Sequence, residues 1–347
     1  MKSFEYTRAS SVSEAVAAWQ PGSAFLAGGT NLLDLMKTGA KEPGQLIDIS
    51  RLAELDRIEL MGDGALRIGA LMKNSDLASD PHVTDSLPLI AEALLSGASG
   101  QIRNAATVAG NLLQHTRCAY FQDPFSPCNR RTPGSGCAAR DGVNENLAIL
   151  GWSEDCIATN PSDFAVALAA LDASVEVRGP HTVRIIPVDR FYSLPGDTPE
   201  RETVLEPGEL VTAITVPAAS AAFSRHSRYL KVRERTSFAF ALVSAAAALT
   251  LENGKITGAR LALGSVAAMP WRRAEAEAAL IGQVPGQDAF ARAATMLLKE
   301  ARPSGDNAYK IDLAGRTIIR ALAIAAAGTP DRVPALPASP FGALAHV

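Results

Sequence analysis

Cysteine occurs at four of the 347 positions, Cys118, Cys128, Cys137 and Cys156, and all four fall between residues 118 and 156. Four thiolates offered by one short stretch suit a tetrahedral metal centre, either zinc or a cubane iron–sulfur cluster, because each takes four soft ligands converging from a flexible backbone. The spacings, nine, eight and eighteen intervening residues, contain no C-x-x-C knuckle. Spacing alone therefore spells neither a zinc ribbon nor a ferredoxin repeat, and the metal stays open. Two disulfides are the alternative, weakened because a chain of this size builds a core without staples.

The elements around the window must hold it still. Between Cys118 and Cys137 the chain is rich in Pro, Gly, Ser and Asn, residues that cannot continue a helix or a central strand, so it reads as an ordered loop held by its ligands. Ahead of it, residues 2–7 read as a strand. Ser11, with Glu14 three residues on, reads as a capping box opening a helix. Residues 24–26, a Gly-Gly turn, a helix over 31–37 and a strand over 45–49 complete a small α/β unit. A second unit has a strand at 66–69, a helix over 86–95 and, beyond the cysteines, a helix over 163–171 and a strand over 174–178. A hinge is expected near Pro217 to Ser224, where Ala and Ser replace patterned residues. Strands over 229–233, 240–251 and 256–263 follow, the last two joined by Asn253-Gly254, which supplies the positive φ values of a type I′ turn. Helices are expected over 272–281, 288–300 and 312–326. The stretch 330–347 reads as an extended or disordered tail.

Two turns could take a phosphate. Phe25-Leu26-Ala27-Gly28-Gly29-Thr30-Asn31-Leu32-Leu33 runs strand, turn, helix, with glycines where backbone amides can approach an anion. The run Ile102 to Asn111, with Thr107, Gly110 and Asn111, is a second such turn directly before the cysteines. Gripping a dinucleotide from two sides differs from a Rossmann G-x-G-x-x-G, which is missing. A net charge of −3 with no basic tract speaks against nucleic acid as a partner. No apolar run reaches the roughly 18 residues of a membrane span. Met1 to Arg8 has neither an apolar signal core nor a twin-arginine pair, so no signal peptide of its own is expected.

Ala27-Gly28-Gly29-Thr30, the Ile-Arg-Asn-x-Ala-Thr-x-x-Gly-Asn run from Ile102 to Asn111, Pro161-Ser162-Asp163 opening a helix, and Leu261 to Arg272 together resemble the FAD-binding subunit of the xanthine dehydrogenase (molybdenum hydroxylase) family. The resemblance spans nearly the whole chain. It implies an α+β protein: the two-subdomain FAD-binding fold of the vanillyl-alcohol oxidase type (1–55 and 56–220) plus a C-terminal α/β domain of the CO dehydrogenase flavoprotein type (221–329). Residues Phe25 to Leu33, Thr107, Gly110 and Asn111 would hold the FAD diphosphate, and Asp163 the ribityl or ring portion. Lys231 would lie near the isoalloxazine; its plainer reading is a solvated strand lysine, and that of Asp163 an ordinary first helical residue.

Most family members pass quickly from the Gly-Asn loop to the Ser-Asp helix, whereas this chain inserts about forty residues, 115–158, that carry the cysteines. The same insertion marks FAD subunits of bacterial periplasmic aldehyde oxidoreductases and 4-hydroxybenzoyl-CoA reductases. Tyr120-Phe121, Cys128-Asn129-Arg130-Arg131 and Pro133 to Cys137 are more similar to the former. The resemblance thus implies a [4Fe-4S] cluster on Cys118, Cys128, Cys137 and Cys156, with Arg130 and Arg131 placed to offset its charge. The implied role is electron transfer in a molybdenum-dependent aldehyde oxidoreductase, inactive on substrate alone. Its partners would be a large molybdenum-cofactor subunit, a small [2Fe-2S] subunit and an external electron acceptor. Its compartment would be the periplasm by co-export with a partner, or the cytoplasm. The alternatives are a flavin oxidoreductase with structural zinc, and the flavin subunit of a heterocycle or aryl-CoA hydroxylase.

Overall fold

The structure, a computed structural model, describes residues 1–331; most of the expected tail, from residue 332 on, lies outside the described residues. Parallel strands β1 (Glu5–Arg8), β2 (Ser23–Leu26) and β3 (Gln45–Asp48) pair in the order β1-β3-β2. The central strand carries the most buried run, Leu46-Ile47-Asp48, as a strand flanked on both edges requires. The helix Val12–Ala17 between the first two strands is capped by Ser11, whose hydroxyl accepts from Glu14 N. The Glu14 carboxylate turns back to Ser10 N at 2.7 Å, so the capping box is shifted by one residue.

A second, antiparallel sheet has the order β4 (Ile58–Leu60), β5 (Leu66–Gly69), β8 (Leu210–Val216), β6 (Ser174–Arg178), β7 (Val183–Pro187). A third has the order β12 (Trp271–Arg272), β11 (Lys255–Gly264), β10 (Val243–Glu252), β9 (Ser227–Val232), also antiparallel. Both helices and sheets are present, as the α+β expectation requires. The expected hairpin turn holds Asn253 at φ 51° and Gly254 at φ 74°.

Alanine explains how β10 is covered on both faces. Ala246 and Ala248 belong to the core that includes the helix Asp163–Ala170, while Ala245, Ala247 and Leu249 face the core that includes the helix Tyr309–Ala327. Successive side chains of a strand point to opposite faces, and a methyl group on each lets a helix close on either side. All eight residues of Asp163–Ala170 are buried as a result.

Two segments take forms that the sequence pattern does not spell out. The segment expected to hinge, Pro217 to Ser224, leads into and forms most of a 3-10 helix, Ala218–His226, in which Ser220 donates to Leu171 O at 2.7 Å and buried Phe223 lies under Arg260. A three-residue repeat leaves no 3.6-residue pattern to read. The helix expected over 272–281 is Ala274–Ala278, because Trp271–Arg272 joins the third sheet as its edge strand. The window between Cys118 and Cys137 is mostly irregular, but Cys118 opens one helical turn, Ala119–Gln122.

Candidate functional site

The Gly-Gly turn and the second turn meet directly. A side chain on Gly28 would run into the carbonyl oxygen of Ala105, so the glycine permits close backbone contact between the two loops. Gly29 has φ +70° and supplies the reversal itself. Thr107 accepts from Gly110 N at 3.2 Å and caps the short helix Val108–Leu112. Asn111 Oδ1 then accepts from Ser162 Oγ at 2.8 Å, while that same hydroxyl caps the helix Asp163–Ala170 through Ala165 N. One serine therefore ties the second turn to the third family motif.

These contacts frame a cavity of about 680 Å³, within the size range of small-molecule sites. Thr30 and Asn31 from the first turn, Gly110 and Asn111 from the second, and Asp163 and Lys231 deeper in the core all line it. Phe25, Leu26, Ala27, Gly28, Gly29, Leu32, Leu33 and Thr107 are not among its lining residues. Phe25 and Ala27 pack on the main core, and Leu33 fills the space beside Gly29.

At the buried end, Lys231 Nζ lies 2.7 Å from Asp163 Oδ2, with the lysine side chain 1% exposed. The solvated reading of Lys231 is thereby overturned: register on β9 turns it inward, opposite Ser244 of β10. Tyr229, two residues earlier on the same face, holds its hydroxyl 2.8 Å from both Asp163 Oδ1 and Ser244 Oγ. Desolvation pushes that phenol well above its ordinary range, and the Asp163 charge adds to it. Asp163 is therefore more than a helix opener, since both its oxygens are engaged. Glu92, also buried, receives Arg228 Nε at 2.8 Å and Tyr229 N at 2.6 Å and locks β9 to the helix Pro88–Ser96. Sequence reasoning missed Tyr229 and Glu92; the alternation of β9, Ser-Arg-Tyr-Leu-Lys-Val, was the available signal.

Past the strand, Glu234, Arg235, Phe238 and Phe240 form one wall of the same cavity. Phe238 adopts φ 49°, uncommon for an aromatic residue, and its carbonyl accepts from the Arg235 guanidinium. Phe240 lies 4.7 Å from the Arg117 guanidinium.

The four cysteines line a second, small cavity together. All four are free thiols, which removes the disulfide alternative. Cys128 pairs with Cys137 across an isolated β-bridge, and Cys156 with Ser153 across another. Asn129 joins these pieces: its Nδ2 donates to Asp155 O at 3.2 Å while its Oδ1 accepts from Gly136 N at 2.7 Å. Backbone amides point at the sulfurs, from Tyr120 and Phe121 to Cys118 and from Ala139, Arg140 and Ile157 to Cys137. Burial pushes the Cys118 thiol up to about 11, against those amides and with the Cys128 and Cys156 sulfurs adding to it. Among the described residues no group of three or more His, Cys, Asp or Glu side chains is arranged to hold a metal ion.

Cys118 lines both cavities. Of the two arginines singled out from the sequence, Arg131 donates to the carbonyls of Tyr120, Phe121 and Ser126 and braces the loop. Arg130 is buried and pairs with Glu202 at 3.0 Å, and His115 Nδ1 lies 2.6 Å from the other Glu202 oxygen. Burial would raise the Glu202 carboxyl; His115 and Arg130 override it and hold it at about 2. Nothing local in the sequence linked Glu202 to the cysteines.

The donor set of the larger cavity fits the flavin nucleotide that the resemblance implies. Among the described residues, six buried side-chain polar atoms have no partner. Asn31 Nδ2, Asn74 Oδ1 and Arg117 Nε belong to residues lining the larger cavity. Arg130 Nε, Arg140 Nη1 and Ser153 Oγ belong to the cysteine segment, Arg130 lining its cavity and the other two bonded through their backbones to Cys137 and Cys156. Buried orphans are costly. The three at the larger cavity are what a polar site completed by a ligand requires, and of the other three only Arg130 Nε belongs to a residue lining the cysteine cavity.

The family described as FAD binding domain in molybdopterin dehydrogenase matches residues 2–219, and the CO dehydrogenase flavoprotein C-terminal domain matches 228–325. The chain is 49% identical over 330 residues to the aldehyde oxidoreductase FAD-binding subunit PaoB of Escherichia coli (strain K12), covering 94% of this chain and 99% of the relative. It is 30% identical over 328 residues to the carbon monoxide dehydrogenase medium chain of Hydrogenophaga pseudoflava, covering 92% and 96%. The solved structure of carbon monoxide dehydrogenase from that organism superposes with a TM-score of 0.73 over 94% of this chain and 98% of the other. Quinoline 2-oxidoreductase from Pseudomonas putida 86 superposes with a TM-score of 0.72 over 94% and 98%, at 22% identity, a likeness of fold alone.

Proposed function

Because this chain belongs to the family of FAD-binding subunits of molybdenum hydroxylases, and so is a subunit of an oxidoreductase, we propose that it is the FAD- and [4Fe-4S]-carrying electron-transfer subunit of a molybdenum-dependent aldehyde oxidoreductase. The observation that carries this reading is that four cysteines line one small cavity beside a larger one framed by the family's motifs, whose lining holds three partnerless buried polar atoms. The 49% identity to an aldehyde oxidoreductase subunit favours an aldehyde over a heterocycle or an aryl-CoA.

Thr30, Asn31, Gly110 and Asn111 would hold FAD, with Asn31 Nδ2, Asn74 Oδ1 and Arg117 Nε completing its contacts. Phe25 to Gly29, Leu32, Leu33 and Thr107 would shape the two turns from behind. Asp163 would fix Lys231 in the cavity wall, where a buried cation favours negative charge on a bound ring. Cys118, Cys128, Cys137 and Cys156 would hold the cluster. When bound, the two groups supply carriers that accept and release electrons. Cys118, bordering both cavities, supports a cluster within electron-transfer reach of the flavin.

Single-ion zinc is the weaker reading. Spacing of the cysteines does not separate zinc from a cubane, and what favours the cubane is the resemblance of the inserted segment, Tyr120-Phe121 and Cys128 to Arg131 above all. The division into 1–55, 56–220 with the insert at 115–158, and 221–329 is the domain organisation we propose. A large molybdenum subunit, a small [2Fe-2S] subunit and an external acceptor are the proposed partners, in the periplasm by co-export or in the cytoplasm. Among the described residues, no helix is long and apolar enough to cross a membrane.

The test is anaerobic purification with its partners, then flavin absorbance and assay of iron, zinc and acid-labile sulfide, with the [2Fe-2S] subunit's own iron and sulfide subtracted. One flavin with about four irons and four sulfides beyond that subunit's is expected. One zinc with no sulfide beyond that subunit's would remove the cluster, and absence of flavin would remove the reading altogether.

A further inference from the structure

The sequence marks two arginines beside Cys128, and their surroundings separate them. Arg131 is occupied by three backbone carbonyls. The Arg130 side chain is 5% exposed and lines the cavity of the four cysteines; its Nη1 meets Glu202 Oε2 at 3.0 Å, and its Nε is without a partner. Glu202 lies far along the chain and belongs to no cysteine motif. His115 Nδ1, 2.6 Å from its other oxygen, keeps the carboxylate from turning away.

Resting on the reading that the four cysteines hold a [4Fe-4S] cluster, we propose that Arg130 and Glu202 act as an opposed pair that sets the cluster's reduction potential, Arg130 raising it and Glu202 restraining it. Reduction adds one electron, and one negative charge, to a centre enclosed by protein. A fixed cation in the wall of the site favours that added charge, and a nearby anion opposes it; both effects are magnified where water is excluded. The free Nε–H is the donor that Arg130 still has to give. Glu202 both aligns the guanidinium and cancels part of its charge, so the two residues act on the cluster with opposite sign. They are positioning residues and touch no substrate.

The experiment is an EPR-monitored reductive titration of the anaerobically purified complex, following the signal that Cys128→Ser removes, with iron and flavin measured in every variant. Arg130→Gln should shift the midpoint to lower potential, Arg130→Lys should recover part of the shift, and Glu202→Gln should shift it to higher potential, all with flavin content unchanged. A purely structural role would not give shifts of opposite sign. Unmoved midpoints, or the same direction in Arg130→Gln and Glu202→Gln, overturn the proposal while leaving the cluster in place. A wild-type complex with no iron beyond the [2Fe-2S] subunit's, and no signal that Cys128→Ser removes, overturns the cluster reading and this proposal with it. Should Arg130→Gln fail to retain iron, Glu202→Gln decides alone: a raised midpoint supports the proposal, and an unmoved or lowered one overturns it.

Discussion

Asp163 and Lys231 hold each other. The carboxylate at the start of one buried helix and the ammonium on β9 approach to 2.7 Å inside the protein, and Tyr229 takes the second carboxylate oxygen. Sequence motifs suggest each residue separately as a flavin contact; their pairing makes Asp163 the group that fixes where the cation stands. Asp163→Asn leaves a buried ammonium without its counter-ion and should cost about 3–5 kcal/mol. Tyr229→Phe removes one hydrogen bond to a charged group and should cost about 1.5–3 kcal/mol. Urea unfolding of the two variants checks the order, and equal losses would mean that the ion pair contributes no more than the phenol hydrogen bond.

Gly28 should be the least tolerant glycine of the first turn. A methyl group there meets the Ala105 carbonyl, a backbone atom that cannot swing aside. Gly28→Ala should force the two turns apart and lose FAD, read as a fall in bound flavin absorbance with a lowered Tm. Gly44, where a Cβ meets nothing within 4 Å, is the control, and Gly44→Ala should change stability by less than about 0.5 kcal/mol.

Cys118 and Cys137 should separate the two cofactors. Serine at either position should lose iron. Only Cys118 also borders the larger cavity, so Cys118→Ser should in addition perturb the visible spectrum of the flavin. A flavin spectrum disturbed equally by Cys137→Ser would show that the cavities communicate through the loop as a whole.

Lys310 should make stability depend on pH. Its ammonium is fully buried among the carbonyl oxygens of Asn146, Leu147 and Ser265, without a carboxylate, and burial lowers it to about 7. The unfolded chain holds that proton to about 10.4. Between these values the unfolded state binds one more proton than the folded state, so stability should rise with pH, by up to about 1.4 kcal/mol per pH unit. Below pH 7 the full penalty is present. The difference between wild type and Lys310→Met, followed by urea midpoints from pH 6 to 10, checks the sign, and a flat difference would count against it.

Much of the fold was readable because it rests on local pattern. Asn253-Gly254 can hardly do other than turn a hairpin, and the alternation of β6 and β9 follows from a strand with two different faces. What escaped were buried polar contacts between distant segments. Asn144 accepts from Asp306 N, Asn307 Nδ2 donates to the carbonyls of Leu147 and Ala148, and Lys310 adds its three. Together they fasten the cysteine insertion to the helix Tyr309–Ala327. As letters, these residues look like solvated loop and helix positions, and only their neighbours make them structural.

Residue type and spacing by themselves determined that four thiolates share one stretch, that two glycine-bearing turns precede it, and that a helix opens with Ser162-Asp163, because these are properties of short segments. Only the tertiary structure decided that the turns touch through Gly28 and Ala105, that Lys231 points inward to Asp163, and that Glu202 stands behind Arg130. Each of those depends on packing between elements far apart in the chain, where burial converts an ordinary charge into one that must find a partner.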